Sequence, residues 1–343
     1  MHLAWKEMKR NKSKFLIVGA VVFLISFLTF MISGLANGLS QDNAALIKNL
    51  PDGTFYMTEK AEETYTMSQI DQGLQKDVLE EFDKSAALSI QMGFVNDQEE
   101  KQHSVAFVTS TASELFPNVE PGEIVLDESL REEGLKVGDV LTNSQLDGTF
   151  TVKGFVEQAK FSHAPVAFIN PDNYSEMYRT DTMQLLFVPT EESKEISGLQ
   201  AFSSADLLNT IPSYSAEQLS LNMIVAFLFV ISGMLIGIFF YMMNVQKFGL
   251  YGILKAIGLK TSVLFKIMWT QMLAVTTMAL VLAVILSQGF QLIAPDGMPF
   301  HLPFETSWKL SLVFLCIGFV GATISGLQIR KIQPLQAIQQ GEM

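Results

Sequence analysis

The chain alternates between long stretches with almost no charged side chains and one central stretch rich in them, and this pattern sets the predicted elements. Phe15 to Ala36 (FLIVGAVVFLISFLTFMISGLA) contains no charge. As a helix it reaches about 33 Å, enough to cross a hydrocarbon core of about 30 Å. Three further apolar stretches follow at 221–244, 267–293 and 308–327, and apart from Lys309 at the mouth of the last, none contains Lys, Arg, Asp or Glu. Four membrane-spanning helices are therefore predicted. A cleaved signal peptide would have a shorter apolar region ending in an A-x-A-like site, so the first span reads as an uncleaved anchor.

The segment 37–220 has different periods. Residues 37–50 keep apolar groups at helical spacing (Leu39, Ala44, Leu46, Ile47, Leu50) and stop at Pro51-Asp52-Gly53, so the first span continues as a helical stalk. Beyond the turn, TFYMT, SVAFVTS, GTFTVKGFVEQAKF and PVAFINP read as strands and LQKDVLEEFDKS as a helix. GEIVLDESLREEGLKVGDVLT reads as strand, short helix and strand, and residues 203–220 read as a second helical stalk. The expected fold is an integral membrane protein with four transmembrane α-helices and an α+β domain inserted between helices 1 and 2.

Charge orients this layout. The 343 residues carry 23 Lys and Arg against 35 Asp and Glu, a net charge of −12, which disfavours a nucleic-acid partner. Ser40 to Ser220 holds 31 of the acids and 11 of the bases, leaving 4 acids and 12 bases elsewhere. Lys6, Lys9, Arg10, Lys12 and Lys14 precede the first span against a lone Glu7. Lys247, Lys255, Lys260 and Lys266 occupy 245–266 with no acid, and Arg330 and Lys331 open the tail 328–343. The positive-inside rule then puts 1–14, 245–266 and 328–343 in the cytoplasm, with 37–220 and 294–307 outside.

No catalytic chemistry emerges from these residues. The single cysteine, Cys316, falls in the fourth span and reads as a small packing residue, so the outer domain must be held by its own core. His103 and His163 lack partners at metal-ligand spacing and read as solvated or turn residues; acidic pairs such as Glu62-Glu63 and Glu132-Glu133 read as a solvated face. The loop KFGLYGILKAIGLKTSVLFK is not a P-loop. Five residues separate Gly252 from Gly258, and Leu259 intervenes before Lys260, Thr261 and Ser262. The loop offers instead a short amphipathic helix, Leu250 to Ile257, that a cytoplasmic partner could grip.

Gly252-Ile253-Leu254-Lys255-Ala256-Ile257-Gly258 is similar to the cytoplasmic coupling segment of the FtsX/MacB-type permeases of ABC transporters. Arg330-Lys331-Ile332-Gln333-Pro334-Leu335-Gln336-Ala337-Ile338 resembles that family's C-terminal ending. GEIVLDESLREEGLKVGDVLT and FTVKGFVE resemble its external core domain, and the order of one span, a large external domain and three spans matches its layout. One departure is Leu250, where many members have a glutamate. The N-terminal segment from Leu3 to Leu39 resembles the haem-export branch. The resemblance implies a non-enzymatic permease, a homodimer bound to two copies of a separate ATPase that binds and hydrolyses ATP. Coupling would run through Gly252, Leu254, Lys255, Ala256 and Gly258. Haem would be the transported substrate and not a resident cofactor. Relatives that move lipoproteins, lipids or antimicrobial peptides, or that signal across the membrane to a cell-wall hydrolase, remain alternatives.

Haem is a flat apolar macrocycle whose iron takes His, Tyr, Met or Cys. The aromatic and sulfur side chains beside the predicted stalks are Phe55, Tyr56, Tyr174, Tyr178, Tyr214 and Met223. The family resemblance favours Phe55 as a wall, Tyr174 and Met223 as ligands and Asp42 as an additional contact. Small residues at i, i+4 (Gly34 and Gly38; Gly233 and Gly237; Gly318, Ala322 and Gly326) allow close helix approach, either to a second copy or within one subunit.

Overall fold

The structure, a computed structural model, describes residues 2–190, 194–295 and 298–331, so the ending from Ile332 to Ile338 lies outside the described residues. The described helices are α1 (His2–Arg10), α2 (Lys12–Lys48), α3 (Gln72–Glu81), α4 (Ser129–Glu132), α5 (Pro171–Tyr178), α6 (Ser204–Thr210), α7 (Pro212–Gln246), α8 (Phe248–Ala256), α9 (Thr261–Ile293) and α10 (Phe304–Lys331). The described strands are β1 (Thr54–Thr58), β2 (Ala86–Asn96), β3 (Gln102–Ser110), β4 (Glu123–Asp127), β5 (Val140–Thr142), β6 (Thr149–Val156), β7 (Lys160–Phe161), β8 (Ala164–Ile169), β9 (Leu185–Val188) and β10 (Leu199–Ser203). The chain divides into two compact units, Met1–Gly38 with Ser220–Met343, and Leu39–Leu219.

In the first unit, α2, α7, α9 and α10 are, among the described residues, the four helices long and apolar enough to cross a membrane. Phe15, Val18 and Val22 of α2 pack with Phe240 of α7, Met268 and Met272 of α9 and Ala322 of α10. A second cluster gathers Phe30, Leu280, Ala283, Phe300 and Phe314. The small residues are consumed inside this unit. A Cβ on Gly321 would lie 2.9 Å from the Gly233 carbonyl oxygen, so α7 and α10 touch backbone to backbone, and Ser325 Oγ donates to the Gly237 carbonyl at 2.8 Å. Gly34 and Gly38 lie against Phe300 and Pro299, while Gly318 and Gly326 face Met272 and Met268. Cys316 is exposed on α10, so the packing role expected of it does not hold.

The second unit is built on one mixed sheet in the order β10-β1-β9-β2-β3-β8-β4-β6-β5, with β7 paired to β8. The long β2 also meets β5 through Asn96 and Thr142, so β2, β3, β8, β4, β6 and β5 form a closed ring. Phe107, Ile124, Leu126, Phe150 and Ala167 belong to one core with Tyr174 and Met177 of α5. A second core, with Phe55, Leu88, Phe161, Phe187 and Leu208, includes Ala44 and Ile47 of the C-terminal part of α2. The predicted second stalk is two helices rather than one. Ile211, at φ −82° and ψ 109°, has left the helical region as a residue before proline does, and Pro212 opens α7. His103 is not solvated: it is buried, with ring nitrogens 2.8 Å from Glu133 Oε2 and 3.1 Å from Asp97 Oδ2.

Candidate functional site

The segment resembling a coupling element folds as predicted into a short helix, α8, and its two faces differ. Tyr251 and Gly252 are buried, and Leu254 packs on the membrane unit's core. The opposite face exposes Leu250, Ile253 and Ile257, the last 69% exposed, together with Ala256. These positions fall at helical spacing and form an apolar strip of the kind that docks a helix into a partner's groove.

The C-terminus of α8 is fixed by Gly258. Its amide donates to the Lys255 carbonyl at 3.0 Å, and that of Leu259 donates to Leu254 at 3.0 Å. The pair forms a Schellman motif, which requires the residue after the helix to be left-handed; Gly258 has φ +92°. Leu254 and Leu259, both packed on the same core, supply the apolar contact that accompanies this cap. Lys255 turns back to its own chain. Its Nζ donates to the Ile329 carbonyl at 2.6 Å, near the end of α10, where the helix dipole favours a cation. Burial holds this amine below the ordinary lysine range.

Sequence reasoning used Glu7 only as a count against neighbouring bases, whereas the structure gives it a place. Glu7 of α1 pairs with Lys247, the residue before α8, and Gln271 of α9 donates to Glu7 Oε2 at 2.8 Å. Lys14 of α2 reaches Gln246, and the Tyr251 hydroxyl donates to Asn244 Oδ1 at 3.3 Å. Burial, with the charge of Glu7 adding to it, raises the Tyr251 phenol above its ordinary pKa. The N-terminal helix, the end of α7, α8 and α9 are thus tied by buried polar contacts. The lysines over 244–271 read as a count of positive charge, and nothing in their spacing pairs Lys247 with Glu7, some 240 residues away.

Of the candidate haem residues, Phe55 and Tyr174 lie in different cores of the sheet unit. Phe55, on β1, is fully buried with its ring centroid 4.8 Å from that of Phe187. Tyr174, on α5, is 4% exposed, in the other core, and its ring centroid lies 4.7 Å from that of Tyr178. Burial pushes its phenol up to about 12. Neither side chain therefore offers a surface to a bulky ligand in this fold. Met223, on α7, is 52% exposed. Asp42, on α2, accepts from Lys160 Nζ at 3.1 Å.

Asp42 belongs to a polar knot that the sequence did not reveal. Strands β7 and β8 are joined by a two-residue turn, Ser162-His163, both at positive φ, which is the type I′ hairpin geometry. The turn's amides donate to the carbonyls of Asn43 (2.8 Å) and Asp42 (3.2 Å) on α2. Asn43 Nδ2 donates to Glu217 of α7 at 3.2 Å, and His163 Nε2 lies 3.2 Å from the same carboxylate. The first residues of α7 and the last turns of α2 are thereby clamped to one hairpin. Among the described residues no group of three His, Cys, Asp or Glu side chains could hold a metal ion.

Comparison with known proteins places this architecture. Residues 222–334 match the model of the FtsX-like permease C-terminal family. A Staphylococcus haemolyticus protein is 29% identical over 353 residues, covering 98% of this chain and 99% of that protein. A Staphylococcus epidermidis protein is 28% identical over 357 residues and covers all of both chains. Both are named hemin transport system permease protein HrtB, an assignment that the names themselves mark as provisional. Among solved structures, the periplasmic region of MacB from Actinobacillus actinomycetemcomitans aligns at a TM-score of 0.35 and 9% identity, over 46% of this chain and 92% of that one. Four helices long and apolar enough to cross a membrane, with a β-rich domain between the first and second, give the layout of a membrane protein. Residues 222–334 are thus similar to the C-terminal part of FtsX-like permeases, and the whole chain is similar to proteins named as permeases.

Proposed function

We propose that this chain is the permease subunit of an efflux transporter that removes haem from the membrane, driven by a separate ATPase. The observation that carries the reading is similarity along the full length to proteins named as hemin permeases, which extends through the outer domain as well as the membrane helices. In this reading two permease copies pair, each with an ATPase bound at the exposed strip of α8, and both termini face the cytoplasm. ATP hydrolysis in the partner moves α8. Because α8 is tied to α1, α9 and the end of α10, its displacement is passed to the whole membrane unit.

The cargo enters as substrate. An iron porphyrin needs an apolar surface and one or two axial ligands. Of the candidate ligands, the thioether of Met223 is accessible, and Asp42 offers a carboxylate already partnered by a cation. The proposal accordingly assigns the axial role to Met223. Titrating the purified protein with hemin should give a shifted Soret band that weakens in Met223→Ala. No band with the wild-type protein would remove haem as the cargo, and a deletion strain sensitive to peptide antibiotics but not to hemin would replace it with a peptide substrate.

A further inference from the structure

Apart from the cargo and the ATPase, the membrane unit contains a groove of about 680 Å³ between α1, the start of α2 and the middle of α9. Its lining is apolar, with Met8, Phe15, Phe23, Val275 and Met278 contributing. On α2 it runs from Lys12 to Phe23, about 16 Å at the helical rise. One end is basic: Lys9 and Lys12 both line it, both are exposed, and neither has an acidic partner among the described residues. The nearest acid in the sequence, Glu7, is committed to Lys247 and Gln271. Trp5, 52% exposed, also lines the groove and is the residue type that settles at the headgroup level.

A long apolar trench ending in two unpaired ammonium groups beside an interfacial tryptophan matches one ligand chemistry. We infer that this groove binds an anionic phospholipid, with an acyl chain along α2 and the phosphate between Lys9 and Lys12. The length of the trench fits a chain better than a plate, which argues for lipid over porphyrin. The charges complement a phosphate on the face of the membrane that carries the N-terminus. A bound lipid would brace α1 against α9, the same two helices that Glu7 and Gln271 join, so the site would sense membrane composition and stiffen the coupling end of the permease. This inference depends on the membrane assignment and not on the identity of the cargo.

The test uses the full-length protein in detergent, with phosphatidylglycerol or phosphatidylcholine added, read by native mass spectrometry and by melting temperature. Wild type should retain phosphatidylglycerol preferentially, by about fivefold for each lysine engaged. K9E/K12E should bring the two lipids to parity with an unchanged melting temperature in phosphatidylcholine. Gly19 lines the trench, and a Cβ there would meet Val275 at an ordinary 3.5 Å, so Gly19→Leu should fill it and lower retention of both lipids. Equal retention of the two lipids by wild type, or hemin displacing both equally, would overturn the inference. If K9E/K12E does not fold, salt decides on wild type: a preference that does not shrink between about 0.05 and about 0.5 M salt also overturns it.

Discussion

Glu7 and Lys247 form an ion pair that is largely buried and joins the N-terminal helix to the residue immediately before α8, with side-chain exposures of 16% and 13%. Among the described residues neither partner has a second ion pair, and Gln271 fills only part of the remaining hydrogen-bonding capacity of Glu7. Removing one member leaves the other charged and poorly solvated. Lys247→Met should lower stability by about 3 kcal/mol. The double variant E7Q/K247M should recover most of that loss, because no uncompensated charge remains. Melting temperatures of the four proteins in a double-mutant cycle check this; additive losses would mean that the two residues act separately.

The exposed strip of α8 should matter for partner binding and not for folding. Ile253 and Ile257 are more than half exposed, so replacing either with Glu removes little packing. In a groove they would be the central anchors, where truncation or charge costs 2 kcal/mol or more, roughly 30-fold in affinity. Ile257→Glu should therefore keep the wild-type melting temperature while the ATPase no longer co-purifies. An ATPase that still binds at full strength would move the docking surface elsewhere.

Gly258 contributes through backbone geometry. At φ +92° any residue with a Cβ is strained, at a cost of roughly 1–2 kcal/mol, although no neighbour crowds the position. Gly258→Ala should loosen the end of α8 and expose the Leu259 amide, which the cap bonds to Leu254, to faster hydrogen exchange. Gly258→Asn, which tolerates the left-handed region, should lose less. Equal effects from the two substitutions would argue that the position makes a direct contact with the partner.

Acid should weaken the sheet domain through Asp97. Its carboxyl is held below the ordinary value chiefly by the bond from buried His103, with the amides of Lys101 and Glu99 assisting. A depressed folded value stabilises the fold above the unfolded pKa, about 3.9, and this contribution is lost as pH falls through the lower folded value. Glu123, held down by Lys153, behaves in the same way. Melting temperature should fall as the pH is taken below about 4, and Asp97→Asn should reduce the size of that fall while lowering stability at neutral pH. An unaltered acid profile in Asp97→Asn would assign the loss to other carboxylates.

Legibility followed the physics of each element. The four spans were readable because a bilayer demands uninterrupted apolar length, and β1, β3, β4, β5, β6 and β8 were readable from their alternation and the turns that bound them. The strand β2 has no clear signal because Ser89, Gln91 and Gly93 break the apolar run, although Ser89 is fully buried. Likewise, β9 and β10 are four and five residues long and take their stability from β1, which pairs with both. The short helix α8 was legible from its glycines and periodicity. The cargo residues were not, because proximity of Phe55 to a stalk in sequence does not tell which side of a strand faces the core, and because α5 carries Tyr174 into the ring of strands.

That burial gives the sharpest discrimination among the haem candidates. A tyrosine coordinates haem iron as a phenolate, and burial pushes the Tyr174 phenol up to about 12, so at neutral pH it is fully protonated. It is also packed against Tyr178, and reaching it would require opening the ring. Met223 needs no deprotonation and lies on an exposed face of α7. Tyr174→Phe should therefore leave hemin affinity within about twofold of wild type, while Met223→Ala should weaken it by about tenfold, a change of about 1.4 kcal/mol. The Tyr174→Phe spectrum should keep the wild-type Soret position at pH 7 and at pH 9. A loss of the band in Tyr174→Phe, with the protein's melting temperature unchanged, would show that α5 swings out to meet the cargo and would return the axial role to the tyrosine.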